Sequence, residues 1–284
     1  MERLTNADHS VETIVSRQIA ALMTAQSALG LTFPSAYRDA DWIRATWWGN
    51  DWITLIVAVP LLIAGSRLSH RGSVRGALVW CGTLGYAAYN YAYYLFGAAL
   101  NAFFPFYVVL LVCSVIALIL ALARLKLDAL AARCRATDRV RMVGAYFASI
   151  GIGLAAVWLA IWAAYVFAGR PTPVDPEAFK LVAALDLSVM VPLLVTGGVL
   201  LWRRHVWGYV IASIAGIQGS LYLMVLAANS VVFIRRGLVT APGELLIWGT
   251  LAALTTVATL VLLGSVEGDA LPDTARQAMV EHPC

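Results

Sequence analysis

Charge is what this sequence lacks most. Of 284 residues only 13% are Asp, Glu, Lys or Arg, whereas 61% are hydrophobic and the mean hydropathy is +0.79. A soluble domain carries about a quarter charged residues, so a water-soluble fold of this length has too little polar surface to cover itself. Lipid as the solvent removes that difficulty. The composition therefore predicts an all-α, polytopic transmembrane helix bundle.

Other scarcities remove function classes one by one. The only lysines are Lys126, in a loop, and Lys180, at the entrance of an apolar run, so the last helix holds no lysine for a retinal Schiff base. His9, His70, His205 and His282 all fall outside the apolar runs, which argues against histidine-ligated haem in the bilayer and against an HExxH protease. No GxSxG, no Walker A loop and no run of regularly spaced arginines is present, against a serine hydrolase, direct ATP drive and a voltage sensor. The four cysteines (Cys81, Cys113, Cys134, Cys284) show no CxxC or Cys/His spacing, and none falls in an outer loop. Neither a metal site nor a structural disulfide is expected, and no cofactor. The first apolar stretch follows about a dozen mostly polar residues, including Glu2, Asp8 and Glu12, without a small-x-small site, so a cleavable signal peptide is not expected.

What is there is a series of long apolar runs. A spanning helix needs about 20 mostly apolar residues. Seven segments meet that standard: 52–68, 77–98, 102–123, 142–168, 180–202, 206–233 and 243–264. An eighth, 13–33, carries Arg17 near its start, where it snorkels to headgroups, and its Thr24, Gln26 and Ser27 form no charged face. It reads better as a span than as a surface helix, giving about eight passes. Residues 1–264 then form a single transmembrane domain, and 265–284 a polar, flexible cytoplasmic tail. The segment 34–51, with Tyr37, Trp42, Trp47 and Trp48 among charges, reads as an amphipathic stretch lying against the outer surface.

Loop charges orient the bundle. The loop 124–141 holds six of the 20 Lys/Arg, and alternation from it places 67–75, Arg203-Arg204 and both termini on the same, cytoplasmic side. Fourteen of the 20 basic residues fall on that side, with Arg235-Arg236 in an outer loop as the exception. The net charge of +4 and pI of about 9.0 are thus topology signals, and no nucleic-acid partner is expected. The expected partners are membrane lipids and a small-molecule or lipid ligand. Small-residue faces leave an oligomer open. Tyr94–Gly97 and Tyr165–Gly169 resemble each other, which interfacial aromatics explain better than an inverted repeat. The stretches WWGNDWITL, YNYAYYLFGAALN and LLWRRHVWGY resemble those of bacterial multi-pass proteins, which implies a bacterial inner membrane and gives no residue a role.

The polar side chains inside the runs gather toward the outer half. Asp186 is the one acidic residue well inside a run, and an intramembrane carboxyl group is by default a functional hypothesis. Tyr86, Asn90 and Tyr93 or Tyr94 share a helix face, as do Gln218 and Tyr222. Asn50 and Asp51 stand at the outer start of another run. The candidate ligand-binding set is Asp186, Asn90, Tyr86, Tyr94, Gln218, Tyr222 and Asp51. Two readings compete: an extracytoplasmic cavity with Asp186 as its ionisable group, or polar side chains gluing helices together. The first suits a proton- or cation-coupled carrier or a binding protein. An intramembrane enzyme with Asp186 or Asp51 as acid, base or metal ligand, and a non-catalytic scaffold or sensor, are the alternatives. Pro60 and Pro192 are expected to kink their spans.

Overall fold

The computed structural model describes residues 2–135, 137–238 and 242–267, with side chains from Ile14 onward. Among them, eight helices run 20 residues or more: α1 (Glu2–Thr32), α2 (Asp41–His70), α3 (Val74–Gly97), α4 (Phe104–Ala123), α5 (Asp138–Ala168), α6 (Pro176–Trp202), α7 (Val206–Arg235) and α8 (Gly243–Gly264). No strand is present among the described residues beyond one isolated bridge. Six helices, α2 and α4–α8, are long and apolar enough to cross a bilayer, as an integral multi-pass membrane protein requires. α1 and α3 do not meet that standard by composition. For α3 the cause is physical: Tyr86, Tyr89, Asn90, Tyr91 and Tyr94 lower its hydropathy, yet all are buried between neighbouring helices. They meet protein, so they need not suit lipid.

The outer segment 34–51 does not lie flat on a surface. A single 3₁₀ turn, Pro34–Ala36, leads to α2, which starts at Asp41 and carries Trp47 and Asp51 into the interior. Asp39 fixes this entry: its carboxylate accepts from the Trp47 indole N–H at 3.0 Å and from the Ala99 amide at 2.8 Å. Polar residues read as an interfacial face are the helix's first turns, and the true span is longer than 52–68.

Helices α2 and α6 are each interrupted by one π turn, Thr54–Ala58 and Asp186–Met190, closed by Val59 N–H to Thr54 O and Val191 N–H to Asp186 O. The next residue in each is proline, Pro60 or Pro192, whose missing N–H removes an ordinary helix bond and favours the widened turn. The two interruptions lie 132 residues apart, and the same shift aligns 59–76 with 191–208 without a gap. Val59, Pro60, Leu61, Leu62, Gly65, Leu68, Arg71, Val74 and Gly76 recur as identical residues at that shift.

The structure repeats with the sequence. Ser73 N–H bonds Leu68 O as His205 N–H bonds Leu200 O, and Gly72 N–H bonds Ser69 O as Arg204 N–H bonds Leu201 O. Gly72 and Arg204 both take positive φ (85° and 59°) at the turn. Gly65 lies against the backbone of Trp80, and Gly197 against that of Ala212. Each half is a four-helix ring in which consecutive helices pack and the last returns to the first, α1–α4 and α5–α8.

The halves meet through α3, α7, α2 and the start of α6. Gly82 sits under Ile217 and Gly85 under Ile214, while Gly49 faces Asn229 and Gly97 faces Leu181. A shift of 132 carries the first of each pair onto the partner of the second, which is the signature of a two-fold, isologous interface. The protein is a tandem duplication with a pseudo-two-fold axis between α3 and α7. This relates the halves in parallel, unlike the Tyr94–Gly97 and Tyr165–Gly169 likeness.

The linker between the halves carries a one-turn helix, Leu127–Ala131. It is held by residues just past α8: Cys134 bridges Val266, the Arg135 amide donates to Ser265 O, and the Glu267 amide donates to Arg133 O. Arg75 Nε donates to Val266 O at 2.6 Å, and Arg135 pairs with Glu267. Residues 268–284 of the expected flexible tail lie outside the described residues.

Candidate functional site

Two buried carboxylates organise the polar interior. Each lies ten residues, about 15 Å of helix rise, from the N-terminal end of its helix: Asp51 in α2 and Asp186 in α6. They are 0% and 1% exposed. Their surroundings differ.

Asp51 is the hub of a phenol and amide network. Tyr37 donates to Oδ2 at 2.6 Å, Tyr94 to Oδ1 at 2.9 Å, and Gln26 Nε2 reaches Oδ1 at 3.3 Å. Gln26 also donates to the Tyr37 oxygen at 3.0 Å and accepts from Tyr91 at 3.2 Å. Burial, and then the Asp51 carboxylate beside it, raises the Tyr37 phenol well above its ordinary value, which keeps it a donor. The rings pack as they bond: Tyr94 stacks between Trp47 and Tyr107 at 4.7 and 5.0 Å, and Tyr91 stands 5.8 Å from Tyr94. Gly30 of α1 admits this cluster, since a Cβ there would run into Asp51 and Tyr37. Tyr86 lies close by, its hydroxyl 3.3 Å from Thr54 at the start of the π turn.

Asp186 opens the π turn of α6. Tyr89 of α3 donates to Oδ1 at 2.5 Å, and the Trp158 indole N–H of α5 to Oδ2 at 2.9 Å. Tyr222 of α7 meets Tyr89 edge to face at 5.5 Å. The carboxylate thus ties one half of the molecule to the other, and both donors are neutral. Three pockets are lined by its neighbours, and Asp186 itself lines none of the three. One of about 500 Å³ opens between α2, α3 and α6, lined by Trp42, Tyr93, Lys180 and Ala184. Another of about 500 Å³ flanks Trp158 and Ala183, and a third of about 350 Å³ is lined by Tyr89, Leu185 and Val189.

The seven expected site residues therefore divide. Asp51, Tyr94 and Tyr86 belong to the first cluster; Asp186 and Tyr222 to the second. Asn90 and Gln218 are buried, and the Asn90 Nδ2 and Gln218 Nε2 groups have no hydrogen-bond partner. The residues the sequence reading passed over are the direct partners of the carboxylates: Gln26, Tyr37, Tyr89 and Trp158. Tyr89 sits inside the same tyrosine-rich stretch, three residues after Tyr86 and four before Tyr93, so the spacing that draws the stripe Tyr86–Asn90–Tyr93 admits it as well. For Trp158, in an unbroken apolar run, the sequence carries no local signal.

Among the described residues no group of three or more His, Cys, Asp or Glu is placed to hold a metal ion. The outlying basic pair has a use: the Arg236 guanidinium lies 3.7 Å above the Trp48 ring, a cation–π contact at the outer rim. Each carboxyl group is met by neutral donors, phenols and an amide at Asp51 and a phenol and an indole at Asp186. Among known protein families, curated proteins and solved structures, none matches this chain, so its function is argued from this geometry alone.

Proposed function

We propose that this is an eight-pass integral membrane protein that binds or carries a small or lipid-like molecule through its extracytoplasmic half, with Asp186 as the proton- or cation-handling group. The observation that carries this reading is a buried carboxyl group at a π turn followed by proline, held only by a phenol and an indole from the other packed helices. A helix interrupted in this way has spare backbone freedom where the carboxyl group sits, and π turns recur at functional sites. The adjoining pockets give a ligand room beside it.

The pass count follows from the duplication. α1 and α3 are the counterparts of α5 and α7, both of which are apolar enough to span, so a bundle built from two equivalent halves has eight passes. In that topology the linker near 124–141 and both ends of the chain face the cytoplasm by the loop-charge rule, and the membrane we propose is a bacterial inner membrane. The enzyme alternative is less well supported, because Asp51 and Asp186 sit in separate clusters, each with its own donors.

Asp186→Asn tests the reading. It keeps one acceptor oxygen for the Trp158 indole, lets Nδ2 donate to the Tyr89 phenol oxygen in place of the bond Tyr89 now donates, and removes the titratable charge, so the variant is expected to fold with close to wild-type thermal stability. In proteoliposomes, proton-coupled uptake or ligand binding should fall at least tenfold. A folded variant with unchanged uptake and binding would sink the proposal and favour a structural Asp186.

A further inference from the structure

The pocket beside Tyr89 opens sideways, between α3 and α4 of the first half and α6 and α7 of the second. Gly85, Ala88 and Ala92 form a strip of small residues that leaves it open along α3. Its lips are Val115 and Val189, 39% and 37% exposed, on two helices apolar enough to span. The mouth therefore faces hydrocarbon. No charged side chain lines it, which disfavours a phosphate or other anionic headgroup.

Beside Tyr89, whose hydroxyl is taken by Asp186, and Trp207, one amide side chain breaks the apolar lining. Gln218 is 1% exposed, and its Nε2 has no hydrogen-bond partner. A buried unsatisfied donor costs about 1–3 kcal/mol, and native structures rarely leave one without a reason. It lies twelve residues into α7, about 18 Å of rise from the inner end. That depth is below the ester groups of a membrane phospholipid and suits a molecule dissolved wholly in the hydrocarbon layer.

We infer that the lateral groove is a binding site for a neutral, long-chain carbonyl compound, the chemistry of a prenylated quinone, whose oxygen accepts from Gln218 Nε2 while its chain lies along Gly85, Ala88 and Ala92. Tyr89 lines the groove and donates to Asp186, so the groove leads to the carboxyl group. The inference deepens the function proposed above by naming its ligand class, and rests on that reading in this link alone.

The test uses the full chain in lipid nanodiscs and two probes of matched skeleton, 2-decyl-1,4-benzoquinone and decylbenzene. Wild type should bind the quinone at least tenfold tighter than the hydrocarbon. Gln218→Leu, of similar bulk, should abolish that preference while leaving hydrocarbon binding in place. Ala88→Phe, at a half-buried position on the groove wall, should block both probes without disturbing the core. Equal affinity of wild type for the two probes, or a preference that survives Gln218→Leu, overturns the inference. Asp186→Asn separates the two claims: lost uptake with intact quinone binding supports both. Asp186-dependent uptake without a quinone preference removes only the ligand assignment. A Gln218-dependent preference with uptake indifferent to Asp186 removes only the carboxyl role.

Discussion

The interface between the halves makes a size-exchange prediction. A Cβ added at Gly82 would stand 2.6 Å from Ile217 Cδ1 and 2.8 Å from its Cβ, and the latter is fixed to the backbone, so α3 and α7 must move apart. Gly82→Ala gains up to about 1 kcal/mol of helix preference, against an overpacking cost of about 1–3 kcal/mol; a net loss of about 1–2 kcal/mol is expected. Ile217→Ala keeps the Cβ and removes the Cδ1 and Cγ1 part of the same contact, at about 2–5 kcal/mol. Combined, the new methyl at 82 fills part of the space vacated at 217, so the double variant should be more stable than the sum by about 1 kcal/mol or more. Gly249→Ala is the control, because a Cβ there meets nothing within 4 Å; it should be neutral or slightly stabilising. The readout is reversible unfolding in mixed micelles, with all four corners of the cycle in one lipid. Additivity within about 0.5 kcal/mol, or an equal loss at Gly249, would refute the close approach and with it the symmetry assigned to the interface.

Two further outcomes follow from the same geometry. Fragments 1–135 and 137–284, expressed together, should co-purify as a one-to-one pair. Recovery of either fragment as an equally stable homodimer would contradict the pairing argued below. Asp51→Leu removes the acceptor of Tyr37 and leaves its hydroxyl proton unpaired, a loss of about 2–4 kcal/mol, while Asp51→Asn keeps an acceptor and should cost less than half as much; thermal unfolding in one detergent compares them, and equal losses would show that the network is not what holds Asp51.

The multi-pass helix bundle is legible from hydropathy, because lipid imposes a coarse rule that any apolar run of sufficient length reveals. Asp186 is legible for the same reason: it violates that rule. Asp51 is half legible. Of the ten residues from Asp41 that precede it, seven are polar or aromatic, and they read as interface until the fold shows Trp47 and Asp51 buried. Gln26 and Tyr37 come from a different helix and a loop, so only packing brings them to Asp51. The duplication was present in the letters, in VPLLIAG and VPLLVTG 132 residues apart, but apolar strings of Val and Leu are common in spans. It carries weight only once the π turns and turn hydrogen bonds recur at the same shift.

The duplication also shows where the halves stopped being alike. The four glycines at the interface, Gly49, Gly82, Gly85 and Gly97, all belong to the first half. Their counterparts, Leu181, Ile214, Ile217 and Asn229, all belong to the second. Two first halves would face glycine with glycine and leave holes; two second halves would press isoleucine on isoleucine at backbone distance. Each half thus fits the other better than itself, which is specificity by both fit and clash. The carboxylates diverge in the same way: at the shift of 132, Asp186 corresponds to Thr54, and Asp51 to Ala183. What the halves share is the mechanical frame of π turn, proline and glycine-packed hairpin. What they do not share is the chemistry, with one carboxylate enclosed by tyrosines and the other set between pockets and bound across the interface. The ligand site proposed at Asp186 therefore depends on the difference between the two halves, and only one such site per chain is expected.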